Sequence, residues 1–122
     1  MATVLVVDDE PEVRTLLATV IEKAGHEVLT AADAGEAWAL LSKKPAVIFA
    51  DIDMPGETGI ELVLRLREHP TCAEVPVIFV TAYRERAIPL VSTGAGIVDV
   101  IDKPFRMEQV TDRLAQALAG AS

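Results

Sequence analysis

Short runs of branched apolar residues alternate along the chain with longer stretches in which apolar positions recur every three or four residues. The runs occupy 3–7, 47–50, 77–80 and 98–101, with a weaker one at 27–31. Their Val and Ile content predicts strands buried on both faces. In the first intervening stretch Val13, Leu16, Leu17, Val20 and Ile21 follow the i, i+3, i+4, i+7, i+8 spacing of an amphipathic helix, with these five on its inner stripe. Asp9 or Glu10 ahead of Pro11 marks its start and Gly25 its stop. A second helix is predicted over 34–42, burying Ala37, Trp38 and Leu41, and a third over 58–68, stopped ahead of Pro70. The last covers 106–118, with Met107, Val110, Leu114 and Ala117 on one face and an Ala/Gly/Ser tail after Leu118 that reads as a frayed end. The segment 83–93 is a poor helix, because Pro89 in a helix interior removes one hydrogen bond and costs about 3 kcal/mol. Either it is short and irregular, or it begins near Pro89.

Five strands alternating with helices predict one doubly wound α/β domain over 1–122, a five-stranded parallel sheet with helices on both faces, and no second domain. Ligand chemistry in such sheets sits at the carboxyl ends of the strands. Asp8 and Asp9 end the first strand, Asp51 the third and Thr81 the fourth, and Lys103 follows the fifth. Five polar residues from four strands are therefore expected at one edge.

Composition narrows the chemistry. The formal net charge of -8 argues against direct binding to nucleic acid, which needs clustered Lys and Arg. Cys72 is the single cysteine and can form no internal disulfide. No long apolar span or export signal appears, so a cytoplasmic protein that does not enter membranes is expected.

Three carboxylates at one point repel one another and call for a cation. An all-oxygen cluster suits a hard ion such as Mg²⁺. A hydroxyl (Thr81), an ammonium (Lys103) and Mg²⁺ together are the parts that neutralise a phosphoryl group in transfer, and Asp51 is the candidate acceptor, since carboxylates act as nucleophiles and form aspartyl phosphates.

The segments VVDDEP, FADIDMPGETG, VTAY and DKPF, in this order and spacing, resemble the receiver domain of two-component response regulators. The likeness covers essentially the whole chain. It implies a flavodoxin-like sheet in the order 2-1-3-4-5 and a phosphorylation-dependent switch that takes a phosphoryl group onto Asp51, assists its own phosphorylation and dephosphorylation, and signals by protein contact. It implies that Asp9 ligates Mg²⁺ directly, Asp8 largely through water and Asp53 through its carbonyl, with Asp51 completing the set. Thr81 would bind the phosphoryl oxygen, and Lys103 would pair with it beside a bond to Pro104 that is usually cis in the family. The implied donor is a sensor histidine kinase or a histidine phosphotransfer protein, docking over the first helix, where Arg14, Thr15 and Ala18 face outward, and over the loop after the fifth strand; the downstream target is a protein.

Asp51-Ile52-Asp53 also fits the Asp-x-Asp pattern of haloacid-dehalogenase-like phosphatases, but there the acidic metal-binding pair comes last and here it comes first. A flavin-binding flavodoxin would need a Ser/Thr/Gly-rich first loop that this chain lacks. His26 and His69 are expected as surface loop residues away from the site. Cys72 reads as a passive loop residue, or a reactive thiol if exposed. Tyr83 either borders the path of attacking water or is a bland exposed tyrosine. Val100 stands where receivers usually carry a switching Tyr or Phe, and with Pro89 it puts the usual relay in doubt.

Overall fold

Every residue of β3 (Val47–Ala50) and β4 (Val77–Thr81) is buried, as are four of the five in β1 (Thr3–Val7). Strands without a polar face must be covered on both sides, and the computed structural model, which describes residues 1–120, shows how. With β2 (Glu27–Ala31) and β5 (Ile97–Asp102) these strands form one parallel sheet in the order β2-β1-β3-β4-β5. Helices α1 (Pro11–Lys23), α2 (Ala34–Leu40, continued by a 3-10 turn at Leu41–Lys43), α3 (Gly59–Leu66), α4 (Arg84–Val91) and α5 (Met107–Gly120) connect or follow the strands.

Alternation along the strands sorts the core into two layers. Val4, Val6, Phe49 and Val80 point to the face covered by Leu17, Val20 and Ile21 of α1 and by Val110, Leu114 and Ala117 of α5. Leu5, Val7, Ala50 and Phe79 point the other way, toward α2, α3 and Ala87 of α4. The helix starts are built locally. Pro11 opens α1, Asp33 caps α2 by accepting from the Glu36 N–H at 2.8 Å, and Thr58 and Glu61 form a reciprocal capping box on α3.

Several boundaries and faces differ from the sequence reading. Leu16 is 45% exposed and Met107 60% exposed, so neither belongs to the inner stripe predicted for its helix. They flank a shallow groove between α1 and α5. The three-to-four periodicity marks an apolar side, yet it does not distinguish residues facing the sheet from those on the shoulder of a neighbouring helix. Trp38 is only half-buried. It packs against the core while the Arg65 guanidinium lies 4.0 Å from its ring centroid and His69 meets it edge-on. The proline segment forms a short continuous helix that begins at Arg84, with Pro89 inside it. Helix α5 runs through Gly120, past the frayed end expected after Leu118; Ala121 and Ser122 lie outside the described residues.

Arg67 gives an unanticipated fastening. From the end of α3 its guanidinium donates to the carbonyls of Val75 at 2.8 Å, Ala73 at 3.2 Å and Ala95, tying two loops to the helix. Gly96, at φ +79°, leaves room for it, since a Cβ there would sit 2.6 Å from the guanidinium.

Candidate functional site

The carboxyl edge of the sheet gathers the predicted residues because neighbouring strands end in register. The Asp51 N–H donates to the Val7 carbonyl at 3.0 Å, which seats Asp51 beside Asp8, and the Lys103 N–H donates to the Thr81 carbonyl at 3.0 Å. Asp8 is 1% exposed and Asp51 5%. Lys103 reaches across from the end of β5, beside a cis bond to Pro104, and its Nζ lies 2.9 Å from Asp51 Oδ2, 2.9 Å from Asp8 Oδ2 and 2.7 Å from Glu10 Oε1.

Each carboxylate is held differently. Asp51 Oδ1 accepts from the Ile52 N–H at 2.7 Å and Oδ2 from Lys103, so both oxygens are fixed in direction. Asp8 Oδ1 accepts from the Glu10 N–H at 2.9 Å. Its Oδ2 is close to Lys103 without the alignment of a hydrogen bond, and this buried oxygen has no hydrogen-bond partner. Burial pushes the Asp8 carboxyl above the usual aspartate range, against the opposing pull of the Glu10 N–H and Lys103. Burial acts on Lys103 in the direction of deprotonation, but Glu10, Asp51 and Asp8 outweigh it and hold the ammonium well above the ordinary lysine value.

One carboxylate oxygen from each of Asp8, Asp9, Glu10 and Asp51 lies within 4.8 Å of the others. An all-oxygen donor set of this size, with an orphaned buried oxygen on Asp8, fits a hard divalent cation. The Asp53 carboxylate is outside that set; Asp53 instead lines a cavity of about 210 Å³ together with Asp9, Glu10, Asp51, Ala82, Tyr83 and Lys103.

Gly59 governs how closely the third helix approaches the site. A Cβ at this position would stand 2.0 Å from the Asp51 carbonyl oxygen, so only glycine lets α3 start directly against the backbone of Asp51. Thr81 is brought to the edge but turned inward. It is fully buried and its hydroxyl accepts from the Tyr83 N–H at 3.0 Å. Tyr83 is 41% exposed at the cavity rim.

Two charged residues escaped the sequence reading. Glu10 looked like a helix-start residue and nothing more, although its position directly after an acidic pair was an available signal. Arg84 gave no signal. It lies three residues after Thr81, donates to the Val100 carbonyl at 2.7 Å and through Nε to both carboxylate oxygens of Asp102, and so straps α4 to β5.

The histidines stand apart from this cluster, in loops and half-buried. His26 Nδ1 accepts from the Ala2 N–H at 3.0 Å, fastening the chain start to the turn before β2, and His69 Nδ1 accepts from the Thr71 N–H at 3.1 Å within its own turn. Cys72 is fully buried, with its thiol 3.6 Å from the Leu41 carbonyl, which leaves it a passive packing residue. Among the described residues no helix is long and apolar enough to cross a membrane.

Comparison with known proteins agrees with this geometry. The family model of the response regulator receiver domain matches residues 4–115. PilH of Pseudomonas aeruginosa is 34% identical over 121 residues, covering 98% of this chain and 100% of the relative. The phosphate regulon transcriptional regulatory protein PhoB of the same organism is 36% identical over 117 residues, covering 95% of this chain but 51% of the relative, so the chain spans about half of PhoB. Among solved structures, the Vibrio cholerae chemotaxis protein CheY4 superposes with a TM-score of 0.88 at 33% identity, covering 97% of this chain and 99% of that one.

Proposed function

This chain belongs to the response regulator receiver domain family, whose members are phosphorylation-dependent signalling switches, and from that premise we propose that Asp51 is its phosphoacceptor. The observation that carries the reading is the seating of Asp51: buried, with Oδ1 on the Ile52 N–H, Oδ2 on Lys103, and Asp8 alongside. A fixed carboxylate in a polar cavity is a positioned nucleophile. An Asp51 oxygen attacks the phosphorus of a phosphohistidine on a sensor kinase or phosphotransfer protein; the P–O bond forms, the P–N bond breaks, and its electron pair returns to the imidazole nitrogen.

Lys103 carries its positive charge at the point where the transferred oxygens arrive. Thr81, at the adjacent strand end, exchanges its bond to the Tyr83 N–H for one to a phosphoryl oxygen. Asp8, Asp9 and Asp51, with the Asp53 carbonyl, would hold Mg²⁺, which when bound neutralises charge on the phosphoryl group. The donor protein docks over the outward side of α1, where Thr15 and Leu16 are exposed, and the phosphorylated form then acts through contact with a downstream protein.

Intact-mass spectrometry after incubation with acetyl phosphate and Mg²⁺ tests this. The wild-type protein is expected to gain a single phosphoryl adduct and Asp51→Asn none, with its fold unchanged by circular dichroism. An adduct formed on the Asn variant at the wild-type rate would refute the assignment.

A further inference from the structure

Lys103 is engaged before any phosphoryl group arrives. Its ammonium donates to Glu10 Oε1 at 2.7 Å and to Asp51 Oδ2 at 2.9 Å, and lies 2.9 Å from Asp8 Oδ2 without donating to it. A phosphoryl group on Asp51 takes over the donor that the Asp51 carboxylate held, and it draws the ammonium toward its own oxygens and away from the remaining contacts. These differ in what release would cost. The Asp8 side chain is 1% exposed, so it cannot exchange the ammonium for water without leaving a buried charge bare. The Glu10 side chain is 57% exposed and is rehydrated as soon as it turns away.

We infer that Glu10 is a positioning residue that latches Lys103 in the unphosphorylated state and competes with the incoming phosphoryl group for its ammonium. The inference rests on Asp51 being the phosphoacceptor. The same carboxylate belongs to the oxygen cluster that fits a divalent cation, so its charge also helps to attract the metal. Glu10 thus acts in opposite directions on the two ligands of one site: it favours the cation and disfavours the phosphoryl anion. A residue that merely supported the start of α1 would move both affinities the same way.

The test uses the whole chain, with Mg²⁺ and beryllofluoride, an acyl-phosphate mimic, as separate probes by isothermal titration calorimetry. In Glu10→Gln, Mg²⁺ alone is expected to bind roughly threefold or more weakly, while beryllofluoride at saturating Mg²⁺ binds tighter by a similar factor. Unchanged or weaker beryllofluoride binding in the variant, with the wild type binding normally, overturns the latch and leaves the phosphoacceptor assignment standing. A wild-type protein that binds no beryllofluoride refutes both.

Discussion

Asp8 is a carboxylate that the fold holds at a cost. Burial raises its folded pKa above the ordinary value of 3.8, so the protonated form is the better folded one. The stability that this contributes is complete below pH 3.8 and is lost as pH rises through the folded pKa; at pH 7 the ionised group therefore destabilises the domain. Asp8→Asn is expected to raise Tm in chelator at pH 7 by on the order of 3–5 °C, with a smaller gain at pH 4, as read by thermal unfolding. An equal gain at both pH values would mean that charge is not the cause. Asp8, Asp9, Asp51, Thr81 and Lys103 were legible in the sequence because each stands at a strand end, where the topology fixes its destination. Glu10 was not, because an exposed glutamate before Pro11 has an ordinary local reason to be there. Gly59 was visible as part of a motif, but its 2.0 Å clearance problem exists only once α3 is packed on the Asp51 backbone.

Among the elements, α4 is the least anchored: Ala87 is its only buried residue, and Pro89 deprives it of one internal hydrogen bond. What ties it down is Arg84, gripping Asp102 and the Val100 carbonyl. The Val100 side chain itself is 4% exposed and β-branched, with few rotamers to switch between. Activation is therefore expected to run from Thr81 through the segment 82–93, and not through the side chain at position 100. Amide chemical shifts with and without beryllofluoride check this. The largest changes away from the site should fall within 82–93 and should persist in Val100→Ala; their disappearance in a variant that still binds the mimic would place the relay at residue 100. Element order was legible because apolar runs and helical spacing alternate cleanly. The faces of α1 and α5 were less so, since Leu16 and Met107 satisfy the periodicity while lying on shoulders that the sheet does not cover.

At the scale of the whole molecule the net charge is -8, and four of the carboxylates gather at one sheet edge, where an oxygen from each lies within 4.8 Å of the others and a single lysine reaches three of those residues. A cation that binds only the folded form must stabilise the whole domain: at ten times its Kd the gain is about 1.4 kcal/mol. Thermal unfolding is expected to show a Mg²⁺-dependent rise in Tm that Asp9→Ala largely removes, and an undiminished rise in that variant would locate the ion elsewhere. Asp51 is the proposed carrier of the phosphoryl group. Borohydride reduces an aspartyl phosphate to homoserine, so peptide mass spectrometry after acetyl phosphate, Mg²⁺ and borohydride reads the modified position directly. Homoserine is expected at position 51 alone and only when Mg²⁺ is present; homoserine at position 8 or 9, or at 51 regardless of Mg²⁺, would contradict the account.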